Sequence, residues 1–371
     1  MATTSAHGIE GTAFLPGYAV HPGETIAEWL EESGMTQAEL ANRIGMSAKA
    51  LNQMVRGHAP VTPETSLRLE AVTGIPARTW NALQALFAED TARLQRHAEL
   101  AAQVDFLDQI PVTELRRRGH VTAPRQDKVT VLREVCDFFG VSDPRAWQMH
   151  WAAPAAAYRR SAAFEAHPGA VATWLRLGEI EAKSVAVGPY DKELLTSALP
   201  RLRALTLEPD PGVFVGAITS LCGKAGLTVV FIPEVPGARC SGAARWVSGR
   251  PVVQLSLRHK TDDHLWFTLF HEIGHVLLHG RSEVFIDDGA DRSPERRVME
   301  DQADEFAQDV LIPGSAAAGL PELKTLESIA TFAEQIGVSP GVVVGRLQHD
   351  QMIGYRIGNR LKRRYEFSSA I

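Results

Sequence analysis

One apolar segment carries the motif that most constrains the fold of this chain. Residues 271–275 read His-Glu-Ile-Gly-His, and large apolar side chains surround them on the helix that this spacing predicts. These flanking residues are Trp266, Phe267, Leu269, Phe270, Val276 and Leu277. A helix that is apolar on every face is buried, because none of its faces suits water. The chain must therefore fold into a domain large enough to enclose this helix and the polar side chains of the motif.

The two histidines of this motif are spaced to share one metal ion. His271 and His275 are four residues apart, so their imidazoles lie on one side of a helix, about 6 Å apart along its axis. Imidazoles are ligands of zinc, and a catalytic zinc needs a third protein ligand and an open fourth position. Glu272 is placed to take a proton from the attacking water and pass it to the leaving amine. The motif predicts a zinc-dependent peptidase centre.

Two candidates compete for the third ligand. His279 continues the four-residue spacing, but an unbroken helix carries it a further ~6 Å away from the ion. No glycine lies between His275 and His279 to break the helix. We therefore expect His279 to contact a ligating histidine without binding the ion itself, or to cap the helix.

The other candidate lies in the downstream helix, Met299–Ala307. Glu300 and Asp304 are four residues apart, so one can bind the metal while the other accepts the free ring N–H of a ligating histidine. The alternative is that these two residues, with Asp301 and Glu305, form a solvated helix face. The His-Glu-Ile-Gly-His motif upstream favours the metal-binding interpretation.

Together these segments resemble the ImmA/IrrE family of metallopeptidases. The resemblance rests on Trp266–Phe270, the motif itself, and the closing pieces Ala303–Ala307 and Leu311–Pro313. It implies a zincin-like domain, a zinc metallo-endopeptidase activity, Glu272 as the general base, and zinc ligands His271, His275 and Glu300. It also implies that Val252–Leu257 is a strand along which an extended substrate pairs.

Two further residues near this domain allow two interpretations each. Cys240 is either a thiol that approaches and blocks the metal or, as we favour, a buried inert thiol. Arg258 follows the predicted substrate strand, so it either holds an oxyanion or a peptide carboxylate or, more commonly, forms a structural salt bridge.

A second motif lies near the N-terminus. Thr36 is spaced as a helix cap with a capping-box glutamate at Glu39, and Gly45 closes the short helix that follows. Ser47 can cap the next helix, in which Leu51 and Met54 can face inward. The polar residues of this second helix are types that contact bases and phosphates in a major groove. The predicted DNA-binding residues are Ser47, Lys49, Asn52, Gln53 and Arg56.

This stretch resembles the helix-turn-helix of phage-repressor-like regulators and, more closely, of HigA-type antitoxins. The neighbouring segments His21–Glu24 and Pro60–Glu64 add to the resemblance. The alternative is an ordinary helical bundle with polar surface residues. Acidic residues outnumber basic ones here, which leaves open a module that serves protein contacts; they are Glu24, Glu28, Glu31, Glu32 and Glu39.

Length and composition set the domain organisation. The 371 residues exceed what one hydrophobic core usually serves, and 45% hydrophobic with 22% charged residues are globular values. We predict an α+β, predominantly helical fold: a five-helix helix-turn-helix domain (16–90), a helical connector (91–210) and a zincin-like domain with a small β-sheet (211–371). Strands are predicted from the β-branched runs Leu227–Ile232 and Pro251–Leu257.

Charge, cysteine content and hydropathy limit the class of function. The net charge of −6 means that DNA contact requires a local basic surface. Three widely spaced cysteines fit a reducing compartment, and neither an N-terminal leader nor an apolar run of about 18 residues is evident. We expect a cytoplasmic protein that does not enter the membrane.

Both motifs in one chain suggest a regulator that acts on a protein partner at its own operon. The leading hypothesis is a transcriptional regulator of toxin–antitoxin or mobile-element type that binds palindromic operator DNA as a homodimer. Its zinc peptidase domain would bind or cleave a toxin or repressor. The alternative is a non-catalytic antitoxin or scaffold whose peptidase-like domain only binds its partner.

Overall fold

The computed structural model describes residues 17–156, 167–258, 260–280, 285–287 and 294–366. Contacts within the chain divide it into two compact units, Met1–Val104 and Asp105–Ile371. No helix in the described ranges is both long and apolar enough to cross a bilayer. The segment Tyr158–Ser161, which the sequence places in the connector, lies outside the described residues. The domain limits at residues 90 and 210 remain predictions.

The described part of the first unit is helical. Its helices are α1 (Pro22–Ser33), α2 (Gln37–Arg43), α3 (Ala48–Val55), α4 (Pro63–Thr73) and α5 (Ala77–Ala101). Their inward faces form one core that includes Ile26, Leu40, Leu51, Leu69 and Trp80. This is the helix order predicted for a helix-turn-helix domain.

The last helix of this unit is longer than the sequence analysis predicts. We expected the last helix of the five-helix domain to end by residue 90, whereas α5 continues to Ala101. The residues from 90 to 101 contain neither glycine nor proline and are mostly good helix formers. Glu89 also pairs with Arg93 one turn later. Nothing local therefore stops the helix at the predicted boundary.

The segment His21–Glu24 joins the start of α1 to the end of α3. The Nδ1 atom of His21 accepts a hydrogen bond from the backbone N–H of Gly23 at 2.9 Å, and burial lowers the pKa of His21. A Cβ atom on Gly23 would lie 2.4 Å from the carbonyl oxygen of Met54 and 2.5 Å from that of Val55. Glycine is therefore required for α1 to approach the carboxyl end of α3.

The second unit combines helices with a small sheet. In chain order it contains α6 (Val112–Arg117), α7 (Lys128–Phe139), α8 (Pro144–Ala156), α9 (Pro168–Ser184), α10 (Lys192–Ala204), α11 (Pro211–Lys224), β1 (Thr228–Phe231), β2 (Gly242–Val247), β3 (Arg250–Leu255), α12 (Asp262–Leu278), β4 (Phe285–Asp287), α13 (Pro294–Leu311), α14 (Gly314–Ala317), α15 (Leu326–Ile336) and α16 (Pro340–His349). Among the residues described, the strands form one sheet in the order β1-β3-β2-β4. The α+β, predominantly helical prediction is confirmed.

The pairing of the sheet corrects one inference. The resemblance implied that Val252–Leu257 offers an edge to an extended substrate, but β3 is an inner strand. It pairs in parallel with β1 and antiparallel with β2, so the backbone groups on both of its edges are already used. The prediction of a substrate strand at Val252–Leu257 is therefore wrong.

Strand β2 was not predicted from the sequence. Its residues, Gly-Ala-Ala-Arg-Trp-Val, lack the β-branched run that marks the other strands. Arg245 is buried in it, where its guanidinium contacts Glu179 at 3.0 Å and donates to the carbonyl of Leu175 at 2.7 Å. The partners of this buried arginine lie on α9, far from it in the sequence. Its position in a strand therefore cannot be predicted from the residues around it.

The helix α12 is buried in the core of the second unit, as its apolar sequence requires. Trp266, Leu269, Phe270 and Ile273 are all inaccessible to solvent. The first residue of the helix, Asp262, accepts hydrogen bonds from the hydroxyl of Ser339 and from the backbone of Arg363. Burial raises the pKa of Asp262. These contacts fix the start of the helix that carries the histidine motif.

We predict that Gly23→Ala destabilises the first unit by about 2 kcal/mol, because the added methyl group overlaps backbone atoms that cannot move aside. Thermal unfolding followed by circular dichroism should show the transition of this unit lowered by on the order of 10 °C. The control is Gly216→Ala in α11, where nothing lies within 4 Å of a new Cβ. Equal melting curves for the two variants would contradict the close approach.

Candidate metal centre and helix-turn-helix surface

The motif residues lie in the middle of α12 and are buried. His271, Glu272 and His275 are 3%, 0% and 1% exposed. The Nε2 atoms of the two imidazoles are 3.0 Å apart, so one helical turn brings both rings to a common point. Burial of this kind lowers the dielectric around a bound ion and strengthens its electrostatic interactions.

Helix α13 supplies a carboxylate to the same point. The Oε2 atom of Glu300 lies 3.2 Å from Nε2 of His271 and 3.6 Å from Nε2 of His275. In the described ranges, these three residues form the group that could hold a metal ion. Ligand atoms about 2.0–2.1 Å from a tetrahedral zinc lie about 3.3 Å from one another. The donor types and their separations therefore fit zinc.

The approach of α13 to α12 depends on a small residue inside the motif. A Cβ atom on Gly274 would lie 3.0 Å from the ring of Phe306 and 3.4 Å from the Cα of Ala303. Ala303 is itself inaccessible to solvent. Small side chains on both helices let them pack closely, and this packing places Glu300 beside the histidines.

A chain of hydrogen bonds fixes the tautomers of both histidines. Nδ1 of His271 is 2.8 Å from the carboxylate of Asp304, so it donates its proton there. Nδ1 of His275 is 3.1 Å from Nδ1 of His279, whose Nε2 is 2.9 Å from the side-chain oxygen of Gln302. A neutral His279 that donates to Gln302 accepts from His275. Both Nε2 lone pairs then face Glu300, as metal ligation requires.

The environment holds the ligating groups in their metal-binding forms. Burial lowers the pKa of His275 to about 4, which outweighs the opposing effect of Glu300. Burial raises the pKa of Glu300, but the adjacent imidazoles of His271 and His275 favour its charged form, outweigh that effect and keep its pKa well below the usual range. A neutral imidazole and a carboxylate are the forms that bind zinc at neutral pH.

Glu272 faces the beginning of β2. A Cβ atom on Gly242 would lie 2.5 Å from Oε1 of Glu272, so the glycine leaves space for the carboxylate. Gly242 was not identified from the sequence, since β2 itself was not predicted. Gln302 was missed as well, because its contact with His279 joins two helices and has no spacing signal within either one.

His279 is the C-cap of α12, and its ring is the link between His275 and Gln302. Asp304 is placed behind His271, where the sequence analysis expected one of the two acidic residues of α13. The functional roles of His279 and Asp304 remain proposals, as do the roles of the metal ligands that they contact.

Cys240 and Arg258 lie near the domain's sheet. Cys240 is 1% exposed, and its thiol donates to the carbonyl of Ala238 at 3.2 Å, as a buried structural thiol does. The guanidinium of Arg258 donates to the carbonyl of Arg239 at 2.5 Å, and within the described ranges it forms no salt bridge.

The helix-turn-helix pair in the first unit is formed by α2 and α3. Thr36 and Ser47 cap these helices, and each accepts a hydrogen bond from the backbone N–H three residues later, at 3.2 and 3.1 Å. The reciprocal bond of a capping box was wrongly expected from Glu39, whose carboxylate instead contacts Arg43 at 2.6 Å. The salt bridge between Glu39 and Arg43 on the exposed face of α2 competes with the hydrogen bond that Glu39 would form in a capping box.

Helix α3 presents polar residues on the side away from the core. Leu51 and Met54 are buried, as the spacing predicts. Of the predicted DNA-binding residues, Ser47, Lys49 and Arg56 are exposed, and Asn52 and Gln53 are half-buried. The acidic residues that were singled out on α1 and α2 are also exposed; they are Glu24, Glu28, Glu31, Glu32 and Glu39.

Two family models match the chain, one in each unit. Residues 222–348 match the IrrE N-terminal-like domain of the M78 peptidase family, and residues 26–80 match the helix-turn-helix family. The resemblance inferred from the sequence is therefore confirmed. The chain joins a helix-turn-helix DNA-binding domain to an IrrE N-terminal-like domain.

Similar proteins match about a fifth to a quarter of the chain. Virulence-associated protein I of Dichelobacter nodosus is 33% identical over 70 residues, which cover 19% of this chain and 65% of that protein. The uncharacterized HTH-type transcriptional regulator YddM of Escherichia coli strain K12 is 29% identical over 86 residues, which cover 22% of this chain and 92% of that protein. A solved structure, Pseudomonas aeruginosa antitoxin HigA with higBA promoter, is 28% identical and covers 24% of this chain and 94% of that chain, with a TM-score of 0.21.

We predict that Ser47→Ala lowers the stability of the first unit by about 1 kcal/mol, because it removes the N-cap of α3. The control is Lys49→Ala two residues later, an exposed substitution whose effect should stay within about 0.5 kcal/mol. Chemical denaturation of both variants measures the difference. If Ser47→Ala unfolds at the same denaturant concentration as Lys49→Ala, the cap does not support α3.

Proposed function

We propose that this protein is a DNA-binding regulator of toxin–antitoxin or mobile-element type, with a zinc-dependent endopeptidase domain that acts on a protein partner. The observation that carries the proposal is the convergence of His271, His275 and Glu300 on one buried point. The partner would be a toxin or a repressor. The name of the similar HTH-type transcriptional regulator supports the regulatory part of this proposal.

In the proposed peptidase, His271, His275 and Glu300 hold zinc. When bound, zinc acts as a Lewis acid that polarises the scissile carbonyl and promotes the ionisation of water. Asp304 and the pair formed by His279 and Gln302 orient the two imidazoles. Removing these outer contacts should weaken metal binding about 10–100-fold without removing a ligand.

Glu272 is the proposed general base. Its carboxylate accepts a proton from the attacking water and later delivers that proton to the nitrogen of the leaving amine. The side chain is fully buried beside Gly242, so it is held near the histidines. A carboxylate positioned in this way contributes about 10²–10⁴-fold to the rate of such a reaction.

We propose that α3 reads DNA through Ser47, Lys49, Asn52, Gln53 and Arg56. The amide groups can pair with adenine, and the cations can contact guanine or phosphate. Their exposed or half-buried positions on α3 support this role. Because the chain carries a net charge of −6, the local cations must supply the attraction to phosphate.

We further propose that two copies bind palindromic DNA as a homodimer. Two-fold symmetry in the protein matches two-fold symmetry in such a site. Large apolar side chains are exposed on α4 and α5, with Leu67 at 64% and Leu86 at 56%. Exposed leucines on neighbouring helices support a contact between copies.

We predict that Glu272→Gln retains one zinc per chain but loses peptide cleavage by about 10²–10⁴-fold, because the amide cannot accept the proton. Zinc is measured by elemental analysis, and cleavage by mass spectrometry of a peptide pool. His275→Ala is the companion variant and should lose both. If Glu272→Gln leaves regulation of the partner unchanged, the domain acts by binding alone, which is the non-catalytic alternative.

We predict that Gln53→Ala combined with Arg56→Ala weakens binding to DNA from upstream of the gene by about 100-fold or more, since each base contact contributes about 1–3 kcal/mol. Gel-shift titration at fixed salt measures the loss. Arg93→Ala on α5 removes one exposed cation elsewhere and should bind normally. Intact binding by the double variant would show that α3 does not contact the DNA.

A further inference from the structure

A cavity of about 350 Å³ opens beside the metal centre, between α12, α13 and α16. Its walls are mainly apolar and include Phe267, Leu311, Ile312 and Val342. Clefts that enclose whole small-molecule ligands span about 300–1,000 Å³. The volume of this cavity is at the low end of that range, so it suits one large side chain and its neighbours.

The cavity lies one helical turn from His271 along α12, and one turn from Asp304, which contacts His271, along α13. Phe267 precedes His271 by four residues on α12, and their ring centroids are 6.1 Å apart. Gln308, another wall residue, follows Asp304 by four residues on α13. A helical turn rises about 5.4 Å, and an extended peptide advances about 3.3 Å per residue. A peptide bond at the metal centre therefore places a side chain one or two residues away in this cavity.

One wall residue, Arg258, is a cation whose guanidinium donates to the backbone carbonyl of Arg239. Asp263 is paired with Lys362 at 2.5 Å, and Arg346 with Asp350 at 2.6 Å, so these wall residues are neutralised. Over the described part of the chain, no carboxylate lies within 4.0 Å of the Arg258 guanidinium. A half-buried guanidinium beside an apolar cavity favours a carboxylate from outside the chain.

We propose that this cavity selects the substrate: it binds a large apolar side chain of an extended peptide, and Arg258 binds the carboxylate of an adjacent acidic residue. The inference rests on the proposed peptidase function and names the class of its substrate. The apolar walls and the Arg258 guanidinium supply the complementarity. A peptide that carries a large apolar residue next to an acidic one can contact the apolar walls and Arg258 at the same time.

The test measures equilibrium binding of capped eight-residue peptides to the zinc-loaded full chain carrying Glu272→Gln, which keeps the peptides intact. The peptides are identical except at two adjacent positions, which are Leu-Glu, Glu-Leu, Leu-Gln, Leu-Lys or Ala-Glu. Leu-Glu or Glu-Leu should bind tightest. Replacing Leu by Ala or Glu by Gln should each weaken binding about tenfold or more.

Variants of the cavity assign these preferences to its walls. Arg258→Glu should reverse the charge preference so that Leu-Lys binds best, and Arg258→Lys should keep the original order. Gln308→Trp narrows the cavity without changing its charge, so it should weaken the leucine peptides and spare Ala-Glu. Unfolding curves for each variant confirm that the fold is retained.

Three results overturn the inference: the same ranking with Arg258→Glu, affinity that ignores the apolar residue, or no binding up to about millimolar peptide. The proposed function is tested separately, by cleavage of a peptide pool with the unmodified chain. Cleavage of the peptide pool without the expected order of peptide affinities contradicts the substrate assignment but supports the peptidase function. Ranked binding without cleavage contradicts the proposed peptidase and leaves the cavity as a peptide-binding site with the stated preference.

Discussion

The close packing of α12 on α13 is the contact on which the candidate metal centre depends. Two imidazoles on one helix provide only two ligands, and the third comes from a different helix. Gly274 and Ala303 let the two helices approach, and Glu300 then lies 3.2 and 3.6 Å from the two Nε2 atoms. Because the site is buried, each unpaired charge there would be costly, so the ligand set and its hydrogen bonds must form together.

A similar constraint holds the candidate DNA-reading helix. Gly23 lets the start of α1 contact the carboxyl end of α3, while Ser47 caps the other end. In both units the helix that carries the candidate functional residues is positioned by a glycine at a close approach between helices and by hydrogen bonds at its ends. The function of each helix then depends on residues that would not themselves contact DNA, metal or substrate.

The sequence predicts those features that arise within one element. The spacing of His271 and His275, the caps at Thr36 and Ser47, and the apolar surroundings of α12 all follow from helical periodicity. Features that join distant elements were not predicted: the contact of His279 with Gln302, the strand β2 and the room that Gly242 leaves for Glu272. The assignment of Val252–Leu257 as a substrate strand failed for the same reason, since only the sheet order shows that both edges of β3 are occupied.

The most direct test of this account is zinc analysis of the purified protein combined with X-ray absorption spectroscopy. The account predicts one zinc per chain, with nitrogen and oxygen neighbours at about 2.0–2.1 Å and the scattering pattern of two imidazoles. Glu300→Ala should lower the zinc content and change the nearest shell. Absence of bound metal would contradict the proposed ligand set. A sulfur atom about 2.3 Å from the zinc, supplied by Cys240, would contradict it as well.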